Sequence, residues 1–157
     1  MTPDQAVTLL QSVPTFAGLP DEALVALAAG AQTRSLARGE ALFKTGDAGD
    51  SGFVLVTGRI ELICEQPRKR LATVLPGALV GELALLVDSP RAATARALDP
   101  TELLVLPRAL VHDVLTAIPA AAVLMREMLQ VRVETTLAAL DTLRRERLDG
   151  PAPARRR

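Results

Sequence analysis

The chain has 157 residues, of which 49% are hydrophobic, and its 18 basic and 18 acidic side chains leave a formal net charge of +0 at pH 7. This length suits one domain with a core of its own, and the apolar content argues against general disorder. The balanced charge argues against a protein that binds nucleic acid mainly through a basic excess. The apolar runs are too short for a membrane span, and the first basic residue is Arg34, so we expect neither a membrane span nor a secretory signal.

Two side chains with reactive chemistry occur once each, Cys64 and His112. A single cysteine cannot form an intramolecular disulfide, which favours the cytoplasm as the compartment. One cysteine and one histidine cannot assemble the common zinc sites or a Cys/His catalytic pair. Without a nucleophile–base pair or a metal cluster, we expect that the protein is not an enzyme. We expect Cys64 in the core and His112 on a helix surface.

The first thirty residues favour helices, and the stretch VPTFAGLP interrupts them. The pattern changes between Thr33 and Pro107, where short β-rich runs alternate with glycine turns such as Thr57–Gly58 and Pro76–Gly77. Strands that are this short and this often interrupted predict a sandwich, a barrel or a roll.

Two helices are predicted after the strands. Residues 108–117 form a short one that ends before Pro119, because the residue preceding a proline disfavours the helical conformation. Residues 120–147 contain neither Pro nor Gly and favour one long helix. Residues 148–157 combine Pro, Gly and charge without periodicity and predict a disordered tail. The sequence therefore predicts one domain over residues 1–147, followed by this tail.

The long predicted helix carries two apolar stripes. One stripe can cover the β-rich unit. The other contains Leu129, Val133, Leu137 and Leu140 and would stay exposed in a monomer. We therefore expect a homodimer that forms through residues 129–143.

The stretch GELALLVDSPRAATAR, residues 81–96, places an acid and an arginine nine positions apart among small residues. If the segment after the glycine forms one helical turn, its free N–H groups attract an anion. Arg91 can hold a phosphate through two parallel hydrogen bonds, and the small Ala92 and Ala93 leave their N–H groups accessible. Ionised Glu82 can only accept hydrogen bonds and suits a sugar hydroxyl. The stretch therefore predicts a site for one molecule that carries both a phosphate and a hydroxyl donor.

The same stretch resembles the phosphate-binding cassette of cyclic nucleotide-binding domains nearly residue for residue. The resemblance extends over about residues 13–147: VPTFAGLPDEALVALA resembles the helical motif before the β-roll, and GDAGDSGFVLVTGRIEL resembles the turn and hairpin of that family. It implies an α+β fold in which N-terminal helices precede an antiparallel β-roll at about residues 33–107. The C-terminal helices would then occupy about residues 108–147.

By position in the family motif, the resemblance implies a set of ligand-binding residues. Glu82 would accept a hydrogen bond from the ribose 2′-hydroxyl, and Arg91 would pair with the cyclic phosphate. The amides of Leu83, Ala92 and Ala93 would complete the cradle, while Gly81, which has no side chain, leaves room for the ligand to approach the backbone. Similarity to the bacterial cAMP-dependent activators implies that Arg132 reaches toward Glu82 and that Thr136 contacts adenine. Because cGMP-preferring members carry Thr where this chain has Ala92, the resemblance favours cAMP. We expect Arg91 to face solvent when no ligand is bound.

These features together predict a stand-alone cAMP-binding regulatory module that signals through movement of its C-terminal helix to a partner protein. Only eight residues follow Asp149, too few for the helix-turn-helix of the bacterial activators, so we expect no direct DNA binding. Two alternatives stay open. The module binds cGMP or a cyclic dinucleotide instead, or the β-roll is a scaffold for interactions that binds no nucleotide.

Overall fold

Two short helices open the chain in the computed structural model, which describes residues 1–65, 67–85, 87–127 and 130. Helix α1 spans Pro3–Ser12 and helix α2 spans Asp21–Gly30. The Thr2 hydroxyl accepts a hydrogen bond from the Gln5 amide at 3.2 Å, and the Gln5 side chain accepts one from the Thr2 amide at 2.9 Å. This reciprocal cap satisfies two N–H groups at the start of α1 and explains why the helix begins at Pro3.

The middle of the chain forms short antiparallel strands. Those in the described residues are β1 Gln32–Leu36, β2 Ala41–Phe43, β3 Ala48–Gly49, β4 Ser51–Thr57, β5 Ile60–Glu65, β6 Arg68–Val74, β7 Leu79–Val80, β8 Ser89–Pro90, β9 Thr94–Ala97 and β10 Thr101–Pro107. They build one sheet in the order β1-β10-β4-β7, a second in the order β2-β9-β5-β6, and the small pair β3-β8. Every pairing among them is antiparallel, so the predicted α+β fold with an antiparallel roll is confirmed.

Helices close one side of the roll. Helix α3 spans Arg108–Ala117, as predicted, and residues 119–127 form a further helix, α4. One apolar core lies between the helices and the first sheet, with Leu10, Leu27, Leu106 and Met125 fully buried. A second core lies inside the roll, around Phe53, Leu55, Ile60 and Leu103. The two cores share strands β4 and β10, so each of these strands packs on both of its faces.

Several predictions made for single residues have definite outcomes. The turns at Gly58 and Gly77 are confirmed, since both glycines adopt positive φ angles, +93° and +91°. His112 is exposed on α3, as expected. The expectation that Cys64 lies in the core is wrong, because the side chain is only half-buried next to the exposed end of β5.

The predicted long helix is described in its first part, where residues 119–127 are helical. The interface expected at residues 129–143 lies outside the described residues, apart from residue 130, and so does the tail at 148–157. In the part of the chain that the structure describes, no helix has both the length and the apolar character that a bilayer crossing requires.

The two turn glycines give a matched test of the fold. Gly58→Ala and Gly77→Ala both place a side chain at a positive φ angle, which costs about 1–2 kcal/mol. At Gly58 the added Cβ would also contact Thr101 Oγ1 and lie 2.7 Å from the Pro100 carbonyl oxygen, whereas nothing lies within 4 Å at Gly77. We expect Gly58→Ala to lose roughly 1–3 kcal/mol more stability, the usual cost of overpacking. Urea denaturation measures both, and equal losses would contradict the packing of this turn.

Candidate functional site

A cavity of about 280 Å³ opens beside the roll, between the end of β7, the loop before β9 and strands β2 and β5. The residues that line it include all the predicted site residues that the structure describes: Gly81, Glu82, Leu83, Arg91, Ala92 and Ala93. The two remaining predicted residues, Arg132 and Thr136, lie outside the described residues. A larger cavity, of about 610 Å³, lies against α3, and none of the predicted residues lines it. The predicted site residues that the structure describes therefore all line the smaller cavity.

The segment after β7 forms a single helical turn, which is the condition under which its sequence predicts an anion site. Gly81 has a φ angle of +75°, and Glu82–Leu85 then form a 3₁₀ helix. The positive φ angle favours glycine here, and a Cβ added at Gly81 would also lie 2.5 Å from Arg91 Nη1. The glycine thus allows the guanidinium to approach the start of the 3₁₀ helix.

Arg91 is buried, with only 8% of its surface exposed. Its Nη2 donates a hydrogen bond of 2.7 Å to the Ser51 carbonyl oxygen. Its Cζ lies 4.3 Å from the centroid of the Phe43 ring and 5.6 Å from that of Phe53. The expectation that Arg91 faces solvent is therefore wrong, because an aromatic face and a backbone carbonyl hold the guanidinium inside the roll.

The backbone around Arg91 is fixed as firmly as its side chain. The Arg91 amide donates to the Asp47 carbonyl oxygen at 2.8 Å, and the Gly46 amide donates to the Arg91 carbonyl oxygen at 2.8 Å. Gly49 lies in strand β3, and a Cβ added there would lie 3.0 Å from the Ser89 carbonyl oxygen and 3.2 Å from Arg91 Cζ, a tight contact with both. The backbone of Arg91 is therefore held against the segment between β2 and β4.

The electrostatics of Arg91 follow from this burial. Loss of hydration lowers the pKa of Arg91 from its ordinary value, and the carboxylates of Asp50 and Asp47 partly offset that effect. Arg108, a second cation nearby, lowers this pKa further. A buried cation of this kind favours an anionic ligand, because the anion replaces the interactions that the guanidinium lost with water.

Glu82 lies at the start of the 3₁₀ helix and lines the same cavity. The residue is half-buried, and its Oε2 atom is buried. The apolar residues of the lining, which we call the apolar wall, were not predicted from the sequence; they are Phe43, Leu62, Val74, Leu79 and Val80. The arrangement suits a small ligand with an anionic group near Arg91, a polar group near Glu82 and an apolar or aromatic part against this wall.

Among the described residues, no group of three or more His, Cys, Asp or Glu side chains is placed to hold a metal ion.

Arg108 is a functional candidate that was not predicted from the sequence. It is the first residue of α3, and its Nη1 donates to the carbonyl oxygens of Gly49 at 2.8 Å, Ala84 at 3.2 Å and Val87 at 3.1 Å. The Gly49 acceptor lies in strand β3, the Ala84 acceptor in the 3₁₀ helix, and the Val87 acceptor just after that helix. One side chain thus ties α3 to the segment that lines the cavity, and nothing in the local sequence signals such a contact.

Comparisons with known proteins agree with this geometry. The family model for the cyclic nucleotide-binding domain matches residues 33–117, which is more than half of the chain. The cyclic AMP receptor protein of Thermus thermophilus is 33% identical over 144 residues, and the match covers 86% of this chain and 66% of that protein. This chain therefore spans less than two thirds of the length of that relative.

Solved structures match as well. The N-terminal domain of a transcriptional regulator from Streptomyces coelicolor A3(2) superposes with a TM-score of 0.76 at 35% identity, covering 84% of this chain and 94% of that one. The regulatory domain of Toxoplasma gondii PKA, solved with cAMP, superposes with a TM-score of 0.66 at 27% identity, covering 76% of this chain and 46% of that one. The family match spans the roll, the cavity and α3, and the chain belongs to the cyclic nucleotide-binding domain family.

Proposed function

We propose that this chain is a regulatory module that binds cAMP in the cavity beside the roll. The observation that carries the proposal is the convergence of buried Arg91, Glu82 and Gly81 on one small cavity with an apolar wall. Two similar proteins support the choice of ligand, since one is named a cyclic AMP receptor protein and another was solved with cAMP.

Each part of the ligand has a proposed place. The Arg91 guanidinium binds the cyclic phosphate through its free N–H groups, and the N–H groups of Leu83, Ala92 and Ala93 complete the cradle. Glu82 accepts a hydrogen bond from the ribose 2′-hydroxyl. The purine packs against the apolar wall that Leu62 and Val74 help to form. Arg132 and Thr136 are the proposed contacts from the C-terminal segment.

The proposed output is a movement of the helices that reaches a partner protein. A ligand can shift a conformational equilibrium only through contacts that differ between the two states. Arg108 supplies the physical link in this proposal, because a displacement of the 3₁₀ helix would change hydrogen bonds that α3 itself makes.

Isothermal titration calorimetry with cAMP tests the proposed ligand directly. Arg91→Ala should weaken binding by roughly 30-fold to several-thousand-fold, because loss of one partner of a desolvated charge pair costs about 2–5 kcal/mol. Arg96→Ala is the matched control, since Arg96 lies five positions further along and does not line the cavity. Because Arg91 is buried, thermal melting must show that Arg91→Ala remains folded, and Arg91→Lys provides a second variant that keeps the charge.

Titrations of the same wild-type protein with cGMP and cyclic di-GMP separate the alternatives. If cGMP or cyclic di-GMP binds more tightly than cAMP, that nucleotide is the ligand and the proposed site is kept. A wild-type protein that binds none of the three would support the scaffold alternative and remove the proposed function. Equal affinity of wild type and Arg91→Ala for cAMP would place the ligand elsewhere.

A double cycle tests the role of Glu82. If its carboxylate bonds the ribose 2′-hydroxyl, Glu82→Ala should weaken cAMP binding but have little further effect on binding of 2′-deoxy-cAMP, because the partner is already absent. The four dissociation constants come from titrations of wild type and variant with both ligands. Losses that simply add would show that Glu82 does not contact the 2′-hydroxyl.

Arg108→Ala tests the link between α3 and the 3₁₀ helix. We expect the variant to lose about 1–3 kcal/mol of stability, because the carbonyl oxygens of Gly49 and Ala84 lose the hydrogen bonds that Arg108 donates. Arg126→Ala, which removes an exposed arginine from the cavity against α3, should change stability by less than about 0.5 kcal/mol. Urea denaturation compares the two variants. Equal effects would contradict the proposed link.

A further inference from the structure

The guanidinium of Arg91 is held over an aromatic pair. Its Cζ lies 4.3 Å from the centroid of the Phe43 ring, and the Phe53 ring lies further away, at 5.6 Å. The two rings are 6.1 Å apart and tilted by 33°. Phe43 also lines the cavity, so it contacts both the cation and the space that a ligand would occupy.

The way in which Arg91 is held decides which of its groups remain available. All five N–H donors of a guanidinium lie in its plane, so an aromatic ring against its face uses none of them. The Ser51 carbonyl oxygen accepts from Nη2. The Nε atom is buried and has no acceptor among the described residues. The structure therefore places Arg91 Cζ over the Phe43 ring, while the Nε donor makes no hydrogen bond to the described residues.

A carboxylate partner would act in a different way. In the part of the chain that the structure describes, no Asp or Glu oxygen lies within 4.0 Å of Arg91, although the charges of Asp50 and Asp47 act on it from further away. A paired carboxylate would occupy the guanidinium edge, and an incoming phosphate would have to displace it. An aromatic ring fixes the orientation without competing for the donors.

We infer that Phe43 is a positioning residue for phosphate binding: its ring holds the Arg91 guanidinium by one face, so that the free edge points to the ligand. This inference rests on the proposed function and deepens it, because it names the residue that prepares Arg91 before the ligand arrives. Preorganisation of this kind increases affinity, since less ordering remains for the binding step.

A series of fluorinated phenylalanines at position 43 tests the inference. Each added fluorine withdraws charge from the ring face and weakens its attraction for a cation, while the shape of the ring changes little. Calorimetric affinity for cAMP should fall stepwise along the series, by roughly 2-fold to 30-fold in total. Phe16 is the matched control, because it is fully buried in the other apolar core, and its series should leave affinity unchanged. Melting temperatures check that each protein is folded.

A readout without ligand separates this inference from the proposed function. Protons of the Arg91 side chain should show an upfield ring-current shift in NMR spectra of the ligand-free protein, and Phe43→Leu should remove most of it. If wild type binds no cyclic nucleotide, the proposed function fails, while this shift still decides whether Phe43 holds Arg91. If wild type binds cAMP but the series at position 43 is flat, or if affinity rises with fluorination, the positioning role is overturned.

Discussion

The burial of the Arg91 guanidinium constrains most of the structure around the site. A cation that leaves water must regain its interactions, and here an aromatic face and the Ser51 carbonyl oxygen supply them in part. Glycines accompany this close approach, since a Cβ added at Gly81 would lie 2.5 Å from Arg91 Nη1 and one added at Gly49 would lie 3.2 Å from Arg91 Cζ. The two backbone hydrogen bonds that join Arg91 to the turn between β2 and β4 fix its position from the other side.

This arrangement also connects the site to the helices. The 3₁₀ helix that begins at Glu82 and the turn that contains Gly49 both provide acceptors for Arg108 at the start of α3. Helix α3 in turn packs with α4 in the apolar core that includes Val111 and Met125. A change in the 3₁₀ helix thus has a short physical route to the helical side of the domain, through one charged side chain and a packed core.

The sequence predicted those features that depend on neighbouring residues, and it missed those that depend on distant ones. The turns at Gly58 and Gly77 and the bounds of α3 follow from local patterns, and all are confirmed. The burial of Arg91 depends on Ser51, 40 positions away, and the contact of Arg108 with Gly49 spans 59 positions. Local patterns carry no information about such contacts, so Arg91 was expected to face solvent and Arg108 was not identified.

We propose that the free edge of the Arg91 guanidinium binds the phosphate of a cyclic nucleotide. NMR of the Arg91 Nε–H group, assigned by its loss in Arg91→Lys, tests this most directly when cAMP and adenosine are compared. We expect cAMP to shift this signal and adenosine, which lacks the phosphate, to leave it unchanged, while the Nε–H signal of Arg96 should respond to neither ligand. An Arg91 signal that cAMP leaves unchanged, or that adenosine shifts equally, would show that the phosphate does not bind at Arg91.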